Sequence, residues 1–358
     1  LRIERLEIVP YALPFREPYV TARGRLERRE LLLVRLVANG HEGLGEAAPM
    51  LLRGGQTLSQ LIEDLERCRP PLEGKELSPD PADHLDACAA AGASRQALLA
   101  IELALFDWLG KDGGAPVWDM LGASSSSPVP CNATLSVGPP AQVAERARKW
   151  AKRGFTTFKL KVGLDRDIDQ VDAVRRALGP GAHIRLDANG SWSETEAIEK
   201  LHRLEQYDIQ LVEQPVATLE GMASVRDAVR IPIAADESVN CADDARRAAA
   251  IGACDVATVK LAKVGRLRTA FDIAAVLPVY LSSALDGPVG IAAAAHLAQV
   301  LPTTGFAGSL AQGLATGELF EDTIASVECE LTDAALLPSD TPGLGVEIDE
   351  RALARRRL

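Results

Sequence analysis

The sequence predicts an α/β protein in which a parallel (β/α) barrel follows a smaller N-terminal unit of mixed α and β structure. Three observations predict it. After residue 128, short apolar runs alternate with amphipathic helical stretches, the pattern of parallel strands joined by right-handed crossovers. Lys161, Asp187, Glu213, Asp236 and Lys260 stand at or near the C-terminal ends of five of those runs, separated by 26, 26, 23 and 24 residues, about one βα unit each. Before residue 128 the elements are grouped instead, with strands first and helices after.

In the N-terminal unit, residues 31–37 (LLLVRLV) form an apolar, β-prone run, and Asn39-Gly40 behind it is a hairpin-turn pair. A glycine-rich stretch, Gly43 to Gly45, leads into Glu46-Ala47-Ala48-Pro49. Residues 57–68 and 94–109 have helical apolar periodicity, and in the second Ala97, Ile101, Leu105 and Trp108 share one face, so Trp108 is read as core. Ser124 to Ser127 followed by Pro128 is the clearest linker.

The barrel strands are expected at residues 129–133, 156–161, 184–187, 209–213, 231–236, 255–260 and 279–283. Helices are expected between them at 141–152, 165–178 and 194–206, the last opened by the capping box Ser193-Glu194-Thr195-Glu196. An open doubly wound sheet would spread the five charged strand ends along a line, whereas a barrel brings them to one mouth, where active sites lie.

Composition narrows the function classes. The chain has 358 residues, 47% hydrophobic and 25% charged, which suits a globular enzyme rather than a disordered chain. Its net charge of −11 lacks the basic surplus of a nucleic-acid binder, and Arg355-Arg356-Arg357 is read as a solvated tail. Six scattered cysteines without a C-x-x-C pair point to reduced thiols and a cytoplasmic location rather than a disulfide framework or zinc site. Arg2, Glu4 and Arg5 interrupt any early apolar run, so no signal peptide is expected, and the apolar stretch 291–301 is too short to span a bilayer.

The chemistry-bearing residues are acids and lysines. Asp187, Glu213 and Asp236 at successive strand ends would repel one another without a cation between them. Three carboxylates suit a hard ion, Mg²⁺ or alternatively Mn²⁺, and the absence of a histidine at an equivalent strand end disfavours zinc. The competing reading is three surface acids capping the helices that follow; their common register favours the metal. Lys159-Leu160-Lys161 alternates in an apolar strand, which puts both amines on the barrel interior. A lysine near another cation has its pKa lowered, which makes Lys161 a candidate base near neutral pH. Lys260, four strands further round, belongs on the opposite wall. The set fits abstraction of a proton next to a carboxylate, the resulting anion being stabilised by the metal and the second lysine. A small anionic carboxylate substrate is expected, with no nucleic-acid or membrane partner; the oligomeric state stays open.

Lys159-Leu160-Lys161, Asp187-Ala188-Asn189-Gly190, Val212-Glu213-Gln214-Pro215 and Ala235-Asp236-Glu237-Ser238 resemble the enolase superfamily, in its muconate-lactonizing-enzyme-like group, over nearly the whole chain. The resemblance implies a (β/α)7β modified TIM barrel at 128–324 with an α+β N-terminal capping domain at 1–127, completed by the C-terminal segment 325–358. It implies Asp187, Glu213 and Asp236 as Mg²⁺ ligands, Lys161 and Lys260 as the acid/base pair, and Asn189 and Glu237 as supporting residues close to the metal; Lys159, on the same strand face as Lys161, is taken as a further supporting residue. The segment 281–292 (LSSALDGPVGIA) and Gly313-Leu314-Ala315-Thr316-Gly317 are similar to o-succinylbenzoate synthases of that group. The Asp-x-Asp element with which its dipeptide epimerases hold an amino group is absent from residues 305–317. Where many members carry Gly-Gly, this chain has Gly265-Arg266.

The reaction so implied is dehydration of 2-succinyl-6-hydroxy-2,4-cyclohexadiene-1-carboxylate to 2-succinylbenzoate in menaquinone synthesis. Ser283 is a candidate for the succinyl carboxylate or, equally, a strand-end hydroxyl bound to backbone. Arg23 and Arg53, beside Gly24 and Gly54-Gly55, are candidates for segments closing over the mouth. Two rivals stand beside this reading. One is an N-succinylamino acid racemase or related epimerase using the same site. The other is a metal-binding scaffold that has lost catalysis, which the presence of all five acids and lysines disfavours.

Overall fold

The structure is a computed structural model that describes residues 1–302 and 305–358, with Arg53 described by its backbone alone. Three antiparallel strands open the chain: β1 (Ile3–Thr21), β2 (Gly24–Ala38) and β3 (His41–Ala47). Asn39-Gly40 makes the β2–β3 turn with both residues at positive φ, 50° and 73°, as a two-residue hairpin of this hand requires. The helix Arg95–Gly113 lies across β3, with Ala97, Ile101, Leu105 and Trp108 all buried in the core it forms with β1 and β2. Gly43 and Gly45 permit that contact: a Cβ on either would sit 2.0 Å or less from the helix carbonyls of Ala104 and Ala100.

The chain then runs through β4 (Val129–Pro130), β5 (Ala133–Leu135), β6 (Thr157–Lys161), β7 (His183–Asp187), β8 (Ile209–Glu213), β9 (Ile233–Ala235), β10 (Val256–Val259) and β11 (Val279–Leu281). Strands β5 to β11 form one parallel sheet in sequence order. Gln312 and Gly313 close it, bridging Cys131 on one side and Ser282 on the other in parallel register. An added Cβ at Gly313 would lie 2.4 Å from Ser282 Oγ, so a side chain there would push the closure apart.

The C-terminal segment folds back as β12 (Ala325–Val327), β13 (Glu330–Thr332), β14 (Ala335–Leu337) and β15 (Glu347–Ile348). Two local expectations are corrected. The run 129–133 is not one barrel strand: β4 pairs antiparallel with β14, and the barrel strand begins at Ala133. Pro130 lacks an N–H and suits such an edge. At the helix Glu194–Leu204, Ser193 accepts the Glu196 N–H, but Glu196 pairs with Lys200 at 2.9 Å instead of returning to Ser193, so half of the capping box forms.

Candidate active site

The barrel mouth gathers the residues that the linear sequence spaces 23 to 26 apart. Lys161, Asp187 and Glu213 are the last residues of β6, β7 and β8, while Asp236 and Lys260 each follow their strand by one. Pairing of Lys161 with Asp187 and of Asp187 with Glu213 across the sheet sets them in register. The three carboxylates are 0% exposed, and Lys159, Lys161 and Lys260 no more than 5%. Charges so fully removed from water must be compensated locally.

Compensation comes from shared ammonium groups. Lys159 Nζ lies 2.9 Å from Asp187 Oδ2 and 2.6 Å from Glu213 Oε2. Lys260 Nζ contacts Asp236 Oδ2 and stands 3.6 Å from Glu213 Oε1. Each neighbouring pair of acids therefore faces one cation held between them. Lys161 Nζ donates to Asp187 Oδ2 at 2.6 Å and to Asn189 Oδ1 at 3.2 Å. Asn189, at φ 50°, donates its side-chain N–H to Glu237 Oε1 at 3.1 Å, so it links Lys161 to Glu237.

The lysines face a cavity of about 360 Å³ between the mouth and the N-terminal unit. Tyr19, Thr21, Arg23, Met50, Ser283 and Thr316 also line it. Lys161 and Lys260 enter it from strands four apart in the sheet order. Arg23, at the tip of the β1–β2 hairpin, donates to the Asn189 carbonyl at 2.8 Å, which draws that tip onto the mouth. The Arg53 side chain lies outside the described residues. Ser283 lines the cavity, but its hydroxyl donates to Asp286 Oδ2 at 3.0 Å and accepts the Asp286 N–H at 2.8 Å, so it caps its own turn. In place of the Gly-Gly pair, Gly265 takes the left-handed φ of 83° and Arg266 an extended φ of −150°, which a non-glycine residue adopts freely.

One electrostatic expectation is reversed. Burial, the largest influence, and the neighbouring Lys159 charge depress the Lys161 pKa, yet Asp187, Tyr19 and Glu213 together outweigh them and the net shift is upward. Lys159 is raised well above its ordinary value for the same reason, Asp187 and Glu213 together overcoming burial. Asp187 is correspondingly lowered: burial favours its neutral form, but Lys159, Lys161 and Lys260 win. Glu213 moves up, through burial and the charge of Asp187. A base at Lys161 thus requires that the Asp187 charge be taken up by something else.

Three residues without an assigned role in the sequence stand in this shell. Gln214, at φ 41°, accepts the Asp236 N–H at 2.9 Å and the Ser238 N–H at 3.2 Å, which fixes the strand end carrying Asp236. Lys263 donates to Asp236 Oδ1 at 3.1 Å and to the Thr258 carbonyl at 2.9 Å. Tyr280, inside β11, donates its hydroxyl to Glu213 Oε2 at 2.5 Å. Gln214 lies inside the recognised Val212-Glu213-Gln214-Pro215 motif; Lys263 and Tyr280 carried no such signal.

The donor set fits a divalent cation. It consists of three hard carboxylates at one mouth, and Glu213 Oε1 is buried with no hydrogen-bond donor among the described residues. Among the described residues no three acid, histidine or cysteine side chains are already arranged around one ion position, because the ammonium groups stand between the acids. Lysine side chains are long and rotatable, and can yield that place.

Comparison with known proteins places this arrangement in context. Residues 4–122 match the "Mandelate racemase / muconate lactonizing enzyme, N-terminal domain" family, and residues 142–352 the "Enolase C-terminal domain-like" family. Muconate cycloisomerase 1 of Pseudomonas putida is 33% identical over 99% of this chain and 98% of its own. An L-Ala-D/L-Glu epimerase of Clostridium acetobutylicum is 30% identical over 96% and 98%. The o-succinylbenzoate synthase of Thermobifida fusca is more identical, 38%, over a shorter stretch, 63% of this chain and 70% of its own. In structure, the muconate lactonizing enzyme of Pseudomonas fluorescens, complexed with muconolactone, superposes with a TM-score of 0.94 at 31% identity, covering 100% and 99% of the two chains. The dipeptide epimerase of Cytophaga hutchinsonii, complexed with Mg and D-Ala-L-Val, gives 0.92 at 28%, covering 99% and 98%.

Proposed function

The chain belongs to the enolase superfamily, with mandelate racemase / muconate lactonizing enzyme N- and C-terminal domains, and from that premise we propose that it is an o-succinylbenzoate synthase. The observation that carries the proposal is the charge of the cavity. Among the described residues, seven cations, Arg23, Arg25, Arg28, Arg29, Lys159, Lys161 and Lys260, line it against five acids: Glu27 and Glu30, paired with Arg25 and Arg28 at 2.7 and 2.8 Å, and Asp187, Glu213 and Asp236, paired with the lysines. No acid occurs in residues 305–317, at and around the strand position that closes the barrel. Such a cavity suits a dianionic substrate and offers no carboxylate to the ammonium group of a free dipeptide. The likeness of residues 281–292 to o-succinylbenzoate synthases selects dehydration among the dianion reactions.

Asp187, Glu213 and Asp236 are the residues that would hold Mg²⁺, which when bound supplies fixed positive charge to the substrate carboxylate and makes the adjacent proton more acidic. Lys161 takes the ring proton next to that carboxylate and returns it to the departing hydroxyl, so that water leaves and the ring becomes aromatic. Asn189 holds the Lys161 amine while it does so. Lys260, on the facing wall, stabilises the anion electrostatically. Lys159, which joins Asp187 and Glu213 in the ion-free arrangement, limits their repulsion there.

A second reading, N-succinylamino acid racemase, is favoured by the entry of two lysines into one cavity from strands four apart, the placement two-sided proton exchange needs. Assay of the purified protein with Mg²⁺ against the cyclohexadiene carboxylate, N-succinylamino acids and muconate separates the readings. Dehydration of the first is expected. Racemisation or cycloisomerisation without dehydration overturns the proposal.

A further inference from the structure

The floor beneath the carboxylates contains a second set of buried polar groups that the reaction does not use. Tyr280 is 1% exposed and Arg185 0%, both inside the barrel. The Arg185 guanidinium lies over the Tyr280 ring, 5.2 Å from its centroid. It is anchored by Nε to Gln210 Oε1 at 2.6 Å and by Nη1 to the Ala311 carbonyl at 2.6 Å, while Nη2 is buried without a hydrogen-bond partner among the described residues. A buried, clamped guanidinium over its face leaves the tyrosine ring little freedom to turn.

That ring ends in the hydroxyl bonded to Glu213 Oε2, which also receives Lys159 at 2.6 Å. The other oxygen, Oε1, is buried and receives no hydrogen bond from the described residues, among which its closest cation is Lys260 Nζ at 3.6 Å. The carboxylate is therefore asymmetric, one oxygen held twice by protein donors and the other held back from them. Tyrosine stands here in an otherwise apolar strand, Val279-Tyr280-Leu281, where a valine or leucine would fill the barrel without burying a hydroxyl.

We propose that Tyr280, backed by Arg185, is a positioning residue for the divalent cation: it pins Oε2 of Glu213 and so reserves Oε1 for the ion. This rests on the metal reading of the preceding subsection and assigns it a residue outside the ligand set. Hydrogen bonds that orient a ligating carboxylate typically change metal affinity 10- to 100-fold when lost. Tyr280→Phe keeps the ring on Arg185 and removes only the donor.

The test is Mn²⁺ binding to the full chain, followed by loss of the free-ion electron paramagnetic resonance signal, with thermal unfolding recorded with and without Mn²⁺. The unsubstituted protein binds, Glu213→Gln does not, and Tyr280→Phe binds about 10-fold more weakly with a smaller Mn²⁺-induced rise in Tm. Arg185→Met, which frees the ring but keeps the hydroxyl, weakens binding in the same direction and by less; it serves also if Tyr280→Phe fails to fold. A purely structural role for Tyr280 lowers Tm equally with and without Mn²⁺ and leaves affinity within twofold, which overturns the inference while the metal reading stands. Failure of the unsubstituted protein to bind Mn²⁺ overturns both.

Discussion

Two sets of buried carboxylates in this molecule are satisfied by different partners. At the mouth, Asp187, Glu213 and Asp236 meet ammonium groups. Along the seam between the N-terminal unit and the remainder of the chain, Glu46, Glu102 and Asp107 accept main-chain N–H groups instead. These come from Gly287, Leu267 and Leu344, each at 2.7 Å. Asp107 also holds Leu44 N–H at 2.7 Å and Lys111 at 2.7 Å; Glu46 also holds the Tyr11 hydroxyl at 2.9 Å.

The consequence is a difference in charge state. A peptide dipole offsets less of the desolvation cost of a carboxylate than a full ammonium charge does. Burial accordingly pushes Glu46 and Glu102 up to about 7 each, and Asp107 upward despite Lys111. Asp187, equally buried, is held below its ordinary value by three lysines. At Asp187 the mouth keeps a charge in place, although Glu213 beside it moves up; the seam uses acids as hydrogen-bond acceptors that join segments distant in sequence.

The contrast can be broken first at the mouth. Lys161→Ala should lower the rate of the proposed dehydration by at least about 10³-fold, within the range for loss of a positioned acid/base group, while Asp187 keeps Lys159 as partner. Steady-state rates at saturating Mg²⁺ check it, and a loss under tenfold removes Lys161 from its role. Asp187→Asn should act on stability, since it strips a buried anion from both Lys159 and Lys161. About 3–5 kcal/mol is expected, as for breaking one side of a buried ion pair, measured by urea unfolding without added metal.

The seam gives a smaller effect, set by pH. The folded-state pKa of Glu46 lies above its ordinary value of 4.5, at about 7, because of burial and the nearby Asp286, with Tyr11, the Gly287 N–H and Arg29 opposing. A group raised in this way is protonated more readily in the folded state. Its stabilisation is full below pH 4.5 and is lost as pH rises through about 7. Glu46→Gln removes that slope. Between pH 4.5 and 7.5 its stability relative to the unsubstituted protein should improve, by at most about 3 kcal/mol. A pH-independent difference between the two in urea midpoints would show that burial does not govern Glu46.

The parts of the barrel legible in the sequence were those with a period. Strand ends recur every 23 to 26 residues, and the acids and lysines sit on that recurrence, so their convergence follows from the fold class alone. Gly43 and Gly45 were visible as glycines, but the helix backbone that forbids a Cβ there was not. The closing pair Gln312-Gly313 has no legible pattern, because two residues bridging strands on either side carry no alternation.

What the sequence by itself determined is which groups meet: connectivity fixes the order of strands, and a parallel barrel turns order into a common mouth. What only the tertiary structure decided is the state of those groups. Lys161 is shifted up rather than down because Coulomb interactions depend on distance, and Asp187, 2.6 Å away, acts with Tyr19 and Glu213 to overcome burial. Tyr280 is a donor to Glu213 rather than a core residue because its hydroxyl reaches across the barrel from β11 to β8, a proximity that 67 residues of intervening chain conceal.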